Sequence, residues 1–180
     1  MADKKNVAIL GATGAVGTQM LECLAERDFP VGELKLLASA RSAGKVVEWC
    51  GREAVIEEAR PEAFEGMDIV LGAADDDIAK ALLPEAVRRG ATVVDNSHAF
   101  RLDEDVPLVV PEINPQDVAW NKGLISNPNC ATIIGLVPTW PLHRLAHDRE
   151  HVPGCERRRR AGHAPARERA GGHRPWRGAA

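Results

Sequence analysis

The 180-residue sequence contains no tyrosine, and aromatic residues make up only 4% of it. Because single-stranded nucleic acids are held largely by stacking on aromatic side chains, this scarcity argues against a nucleic-acid partner. The sequence has no apolar run long enough to span a membrane, and its first residues lack the apolar core of a signal peptide. The few cysteines have neither metal-site nor disulfide spacing, which predicts a reducing, cytoplasmic location. They are Cys23, Cys50, Cys130 and Cys155.

Basic and acidic residues are distributed unevenly. Residues 151–180 hold eight arginines and two glutamates, a charge of +6, so residues 1–150 carry −9 of the total of −3. Because this basic segment has little with which to build a core, we predict a disordered Arg-rich tail at residues 148–180. One hypothesis is an arm for nucleic acid or an acidic partner. We favour another, coding sequence translated out of frame, because the hydrophobic periodicity stops abruptly.

Short apolar segments alternate with segments of helical periodicity in the first two thirds of the chain. Helices are predicted at residues 15–27 and from the aspartates at 75–77 to Arg89, with a kink or break at Pro84. Since strands that alternate with helices pair in parallel, the predicted fold class is α/β, a Rossmann-type doubly wound, mostly parallel sheet. The predicted strands are residues 6–10, 34–38, 68–71, 92–94 and 108–110, with a hairpin at residues 46–56.

A glycine-rich turn follows the first predicted strand and precedes the first predicted helix. Gly11, Gly14 and Gly17 form a G-x-x-G-x-x-G variant of the dinucleotide fingerprint. The first glycine allows the tight turn, the second lets the backbone approach a pyrophosphate, and the third lets the helix pack closely on the strand. The alternative is an ordinary glycine-rich turn between a strand and a helix. The predicted cofactor-binding residues here are Gly11, Thr13, Gly14, Ala15, Val16 and Gly17.

The end of the second predicted strand indicates which dinucleotide binds. An NAD site usually has an aspartate or glutamate there to hold the ribose 2′-hydroxyl, and residues 38–45 contain no acid. Ser39, Arg41 and Ser42 can instead bind a 2′-phosphate, and Lys45 adds positive charge. These residues favour NADP as the cofactor, with a solvated basic loop as the alternative.

Cys130 follows the turn-forming residues Asn127, Pro128 and Asn129 and precedes an apolar helical pattern. It is therefore predicted to lie in the first turn of a helix, where unpaired N–H groups and the helix dipole stabilise a thiolate. Such a thiolate would be a nucleophile. The alternative is that Cys130 is a small buried apolar residue, as many lone cysteines are. Further along, Pro138 and Pro141 are expected to limit the helix.

Taken together, these motifs resemble those of aspartate-β-semialdehyde dehydrogenases over residues 4–147. The resemblance implies reductive dephosphorylation of aspartyl phosphate by NADPH, through a thioacyl enzyme, in a homodimer or homotetramer. It also implies a dinucleotide-binding domain at 1–127 and the truncated start of a catalytic and dimerisation domain at 128–147, which the tail predicted from composition follows. The matching segments are residues 11–17, 39–45, 95–101, 109–114 and 127–132.

The resemblance assigns roles to five residues. Cys130 is implied to be the nucleophile, and Asn129 to position the substrate or the thioester oxygen. Arg101 is implied to bind the phosphate, which suits a planar guanidinium. Asn96 and Ser97 are implied to line the cofactor and phosphate side of the cleft. The alternatives are a turn at a strand end for Asn96 and Ser97, and a surface salt bridge for Arg101.

The sequence also departs from the family pattern. Ala73, Ala74 and Asp75 stand where the family often has glycine and serine, and His98 stands where serine is common. Nothing after Cys130 matches the family's acid–base histidine or its substrate-binding arginine, so we expect an inactive fragment. A missing proton-transfer group costs about 10²–10⁴-fold in rate. The competing hypotheses are an N-acetyl-γ-glutamyl-phosphate reductase and a nucleotide-binding module without catalysis.

Overall fold

The computed structural model describes residues 3–150. The chain divides into two units between Pro138 and Thr139. In the first unit, the described residues form a sheet of seven strands in the order β3-β4-β2-β1-β5-β6-β7. The strands are β1 (Lys5–Leu10), β2 (Val31–Ala38), β3 (Val46–Trp49), β4 (Arg52–Glu58), β5 (Ile69–Gly72), β6 (Thr92–Asp95) and β7 (Leu124–Ser126).

All neighbouring strands pair in parallel except β3 and β4, which form the predicted antiparallel hairpin. The predicted α/β fold class, a mostly parallel Rossmann-type sheet, is therefore confirmed. Three α-helices accompany the strands within residues 3–150, namely α1 (Ala15–Glu26), α2 (Asp76–Arg88) and α3 (Cys130–Glu150). Short 3₁₀ turns occur at Ala40–Ser42, Pro61–Phe64 and Pro115–Trp120.

The central strand β1 is buried on both faces, which explains its uninterrupted apolar sequence. Ala8 and Leu10 belong to one apolar cluster, which also includes Leu83 of α2. Ile9, which points to the opposite face, belongs to a second cluster with Leu21 of α1. The two helices that follow β1 and β5 therefore cover opposite faces of the sheet, and the loops at its carboxyl edge stay accessible.

The prolines do not interrupt the helices, so the break predicted at Pro84 and the limit predicted at Pro138 and Pro141 are both wrong. Helix α2 continues through Pro84, and α3 continues through Pro138 and Pro141. A proline has a φ near −65°, which is itself helical, so its cost is one lost hydrogen bond and a local steric adjustment. In α2 that cost is offset by the complete burial of Leu83 and Ala86 against the sheet.

The strand predicted at residues 108–110 was also wrong. Leu108 forms one isolated bridge with Ser126, and the N–H of Val109 donates to the Ser126 carbonyl at 2.8 Å. The next N–H, that of Val110, donates instead to Oδ1 of Asn114 at 2.8 Å, so the ladder stops. The strand that does pair with β6 is β7, which the sequence pattern did not reveal. Of the tail predicted at residues 148–180, residues 148–150 belong to α3, and the rest lies outside the described residues.

Candidate active site

The direction in which successive strands are added to the sheet reverses at β1. From β1 the chain first adds β2 on one side, and later returns to add β5 on the other. The loops that leave the carboxyl ends of β1 and β5 therefore separate at this point, where open α/β sheets bind their ligands. The site residues predicted after β1, β2, β6 and β7 all follow strand ends at this same edge.

The glycine turn is tightly constrained by backbone atoms. Gly11 has a φ of +86°, and a Cβ added there would lie 2.5 Å from the carbonyl oxygen of Ala73. A Cβ on Gly17 would lie 2.3 Å from the Gly11 oxygen. The first and third glycines thus allow the turn and the close packing of α1 that the motif predicts. Gly14 precedes α1 as its N-cap, so the first N–H groups of α1 point out of the turn.

An apolar cleft of about 370 Å³ lies beside this turn. Gly11, Ser39 and Ile78 contribute to its wall, together with the acidic residues Glu58 and Asp77. Glu58 forms an ion pair with Arg60, which offsets its negative charge. The volume of the cleft and its mostly apolar lining suit an apolar group such as a purine base.

The residues predicted to select NADP occupy different environments. Ser39 and Arg41 are exposed, and Ser39 lines the apolar cleft. Ser42 ends the 3₁₀ turn and is only 7% exposed. The structure therefore leaves Ser39 and Arg41 accessible to a ligand at the end of β2, whereas Ser42 lies beneath the surface.

A second, more polar hollow of about 610 Å³ lies next to the apolar cleft. The two adjoin at Ala74 and Asp77, beside the point where the strand order reverses, and we call them together the groove. Val16 of the glycine turn lines this hollow. Its remaining wall is formed by residues after β5 and β6, namely Ala73, Asp75, Asp76, Asn96, Ser97 and His98.

The loop after β6 is folded by the buried carboxylate of Asp95. This carboxylate accepts the N–H of Ser97 at 3.0 Å and its hydroxyl at 2.6 Å. The Ser97 oxygen also accepts the N–H of Ala99 at 3.1 Å, so its hydroxyl group is engaged within the loop. Arg101 is held by a 2.8 Å bond from its Nη2 to the Asn96 carbonyl, and its Nε is buried with no partner among the described residues.

Cys130 is the first residue of α3, and its side chain is exposed. The structure therefore does not place it in the core, which was the alternative. Asn129 caps the helix: its Oδ1 accepts the N–H of Ala131 at 2.9 Å and lies 3.8 Å from the Cys130 sulfur. The cap engages Oδ1 and not Nδ2 of Asn129.

Asn127 joins the loop after β7 to the loop after β6. Its Nδ2 donates to Oδ1 of Asn96 at 2.8 Å and to the carbonyl of Pro128 at 3.0 Å. Its backbone N–H also donates to the Asp95 carbonyl at 3.1 Å. Sequence reasoning placed Asn127 in the cysteine motif but gave it no role, because its partners in the other loop lie about thirty residues earlier in the chain.

The matching family model, described as semialdehyde dehydrogenase, NAD binding domain, covers residues 6–120. The chain belongs to this family. That membership confirms the resemblance drawn from the motifs. Within the described residues, no group of histidine, cysteine, aspartate and glutamate side chains is arranged to hold a metal ion. No helix there combines the length and apolarity needed to cross a membrane.

Two curated relatives are named aspartate-semialdehyde dehydrogenase. The Synechocystis protein is 54% identical over 139 residues, which is 77% of this chain and 41% of the relative. The Bacillus subtilis protein is 50% identical over 139 residues, 77% of this chain and 40% of the relative. This chain thus spans about two fifths of the length of these family members.

Solved structures agree with the family membership. The Vibrio cholerae aspartate semialdehyde dehydrogenase II complexed with ASA is 44% identical, with a TM-score of 0.77, over 79% of this chain and 47% of that one. The Candida albicans aspartate semialdehyde dehydrogenase with NADP is 30% identical, with a TM-score of 0.67, over 78% of this chain and 47% of that one.

Proposed function

We propose that this chain is the dinucleotide-binding part and nucleophile loop of an NADP-dependent aspartate-semialdehyde dehydrogenase. The observation that carries the proposal is the alignment of the glycine turn, Arg101 and Cys130 along one sheet edge. From β1 to β7 there are three strand spacings, or about 14 Å. The proposed reaction is the reductive dephosphorylation of aspartyl phosphate to aspartate semialdehyde, as the names of the curated relatives support.

The groove fits a dinucleotide on structural grounds. Gly11 and Gly17 have no room for a Cβ because the turn and α1 pack closely on the neighbouring backbone. We propose that this packing leaves Gly14 and the start of α1 facing a pyrophosphate. We propose that the whole turn from Gly11 to Gly17 holds the phosphates, and that Asn96 and Ser97 line the nicotinamide side. When bound, NADPH supplies a hydride.

Arg41 and Ser39 are the proposed contacts to the 2′-phosphate of NADP, with Ser42 supporting the turn beneath them. The test is a fluorescence titration of the purified chain with NADPH and, separately, with NADH. Tighter binding of NADPH is expected. Equal or tighter binding of NADH would contradict the proposed preference, and no binding of either would contradict the cofactor assignment.

On the substrate side, the sulfur of Cys130 is proposed to attack the acyl carbon of aspartyl phosphate. A carbon–sulfur bond forms as the carbon–oxygen bond to phosphate breaks, and phosphate leaves. Arg101 is proposed to bind that phosphate, because its buried Nε lacks a partner among the described residues and an anion would offset this cost. The Nδ2 of Asn129 is the proposed donor to the substrate or the thioester oxygen.

The 180-residue chain alone is proposed to turn over little or no substrate, because it matches only about two fifths of the length of its family relatives. A coupled NADPH assay with semialdehyde and phosphate measures this directly, and rates near those of a full-length relative would refute it. Competition between aspartyl and N-acetylglutamyl substrates for protection of Cys130 from iodoacetamide separates the two reductase hypotheses. A Cys130 that neither substrate protects would favour the module without catalysis.

The assembly and location of the chain are also proposals. A homodimer or homotetramer is proposed from the family, and it agrees with the exposure of Ile134, at 73%, on the first turns of α3. A cytoplasmic location agrees with the free thiols of Cys23, Cys50 and Cys130. Sedimentation of the purified chain would test the first proposal. The three proposed domains, at 1–127, 128–147 and 148–180, can be tested by limited proteolysis.

A further inference from the structure

We propose that Asn127 is a positioning residue that couples the loop carrying Arg101 to the loop carrying Cys130. The inference rests on the proposed function, because it takes Arg101 as the group that binds phosphate. Neither the sequence motifs nor the family match gives Asn127 this role. What assigns it is the pattern of hydrogen bonds between the ends of β6 and β7.

The two loops are neighbours because β6 and β7 are paired in parallel, with Asp95 opposite Ser126. The next residue, Asn127, extends that pairing by one backbone hydrogen bond to the Asp95 carbonyl. Beyond this point the two segments diverge: the segment after β6 leads to Arg101, and the segment after β7 leads into α3. The side chain of Asn127 then makes the contact between the diverging loops, through its 2.8 Å bond to Oδ1 of Asn96.

The chemistry of the side chain explains why asparagine is suited to this position. The Pro128 carbonyl can only accept a hydrogen bond, so Asn127 must present Nδ2 toward it, and the second proton of Nδ2 reaches Asn96. One carboxamide nitrogen thus holds its own loop and the neighbouring loop at the same time.

Both loops end in groups with a proposed chemical role. The Asn96 carbonyl accepts Nη2 of Arg101 at 2.8 Å, so the residue that Asn127 holds also positions the guanidinium. On the other side, Pro128 and the helix-capping Asn129 connect Asn127 directly to Cys130. Phosphate bound to Arg101 should therefore change how readily a reagent reaches the Cys130 sulfur. Asn127 should transmit that change from one loop to the other.

The test measures alkylation of each cysteine by iodoacetamide at pH 8, with and without inorganic phosphate, by peptide mass spectrometry. Exposed Cys23 and Cys50 serve as internal references in the same sample. In the wild-type chain, a plateau concentration of phosphate is expected to slow alkylation of Cys130 about fivefold or more, without slowing the references. In Asn127→Ala the slowing should fall below about twofold at that variant's own phosphate plateau.

Asn6→Ala is the control for a general loss of stability. Asn6 also joins separate segments, by a 2.9 Å bond to the Gly66 carbonyl and a 3.0 Å bond from the Glu33 N–H, but it lies in β1 near the amino end of the sheet. It should keep the full effect of phosphate on Cys130. Melting temperatures of both variants show whether their losses of stability are comparable.

Two further variants change hydrogen bonding without removing volume. In Asn127→Asp the bond to the Pro128 carbonyl is lost, but Asn96 can turn its carboxamide so that Nδ2 donates to the new carboxylate. Because the contact between the two loops is kept, the effect of phosphate at that variant's own plateau should be retained. In the double variant Asn96→Asp with Asn127→Asp, neither side chain has a donor at pH 8, and the effect should be lost. This comparison stands even where Asn127→Ala fails to fold.

The outcomes separate the inference from the proposed function. If phosphate does not slow alkylation of Cys130 in the wild-type chain, the proposed role of Arg101 is wrong, and the inference is overturned with it. If phosphate protects the wild-type chain, and also protects Asn127→Ala or the double variant equally, only the inference is overturned. Loss of protection in Asn127→Asp would equally overturn it, because the contact between the loops can re-form there.

Discussion

Replacing Gly17 with alanine should destabilise the fold, although alanine is normally the better helix former. The added Cβ would lie 2.3 Å from the Gly11 carbonyl oxygen and 2.8 Å from the Cα of Ala12. Both are backbone atoms of the turn, so neither can rotate away. To restore an ordinary contact, α1 must move from β1 by about 1 Å.

The size of the effect follows from two opposing contributions. Overpacking of this kind costs about 1–3 kcal/mol, and the helical preference of alanine over glycine returns about 0.5–1 kcal/mol. We therefore expect Gly17→Ala to lower the free energy of unfolding by about 1–2 kcal/mol, a substantial part of the roughly 5–15 kcal/mol of a typical domain. Because α1 moves together with the turn, NADPH binding should weaken as well.

Gly14→Ala is the matched control in the same turn. Gly14 has a φ of −79°, and its added Cβ would lie 3.4 Å from the Gly11 oxygen, which is an ordinary contact. Its cost as an N-cap change should stay below about 1 kcal/mol. NADPH binding should nevertheless weaken, because the methyl group would lie where the proposed pyrophosphate approaches the backbone.

Urea unfolding followed by circular dichroism measures the stability of both variants, and NADPH fluorescence measures binding. A Gly17→Ala chain as stable as the wild type would refute the close-packing argument. A Gly14→Ala chain that binds NADPH as tightly as the wild type would refute the proposed approach of a pyrophosphate at that glycine.

Three other substitutions test separate contacts. Asn129→Ala removes the cap of α3 and should lower the free energy of unfolding by about 1 kcal/mol, whereas Asn129→Asp should keep the cap. Equal stability of the two variants in urea unfolding would count against the cap. Trp49→Phe loses the 2.9 Å bond from Nε1 to the Leu21 carbonyl and should lower the free energy of unfolding by about 1 kcal/mol. Its NADPH affinity should not change, and a changed affinity would show that this contact is not separate from the groove. Arg41→Ala should weaken NADPH binding about tenfold and leave NADH binding unchanged, as measured by the same titration; equal weakening of both would remove the proposed 2′-phosphate contact.

Local patterns predicted most of the sheet, because each strand and helix near the amino end is specified by its own residues. The run before Gly11 is apolar throughout since β1 is buried on both faces, and the glycine spacing reflects two close backbone approaches within a few residues. Prolines misled the helix prediction, because tertiary packing of residues such as Leu83 outweighs one missing hydrogen bond. The strand predicted at residues 108–110 does not form, because the N–H of Val110 bonds to the Asn114 side chain and not to a neighbouring strand. The strand at that edge is β7.

The sequence alone determined the family, the glycine turn and the helix start at Cys130. It also showed that the end of β2 has no acid. Each of these features depends on only a few adjacent residues. Only the tertiary structure decided which loops are neighbours. Asn96 and Asn127 are separated by 31 residues, and they meet because β6 and β7 pair in parallel and end at the same edge. A contact of that kind depends on strand order and register, which no local pattern of residues contains.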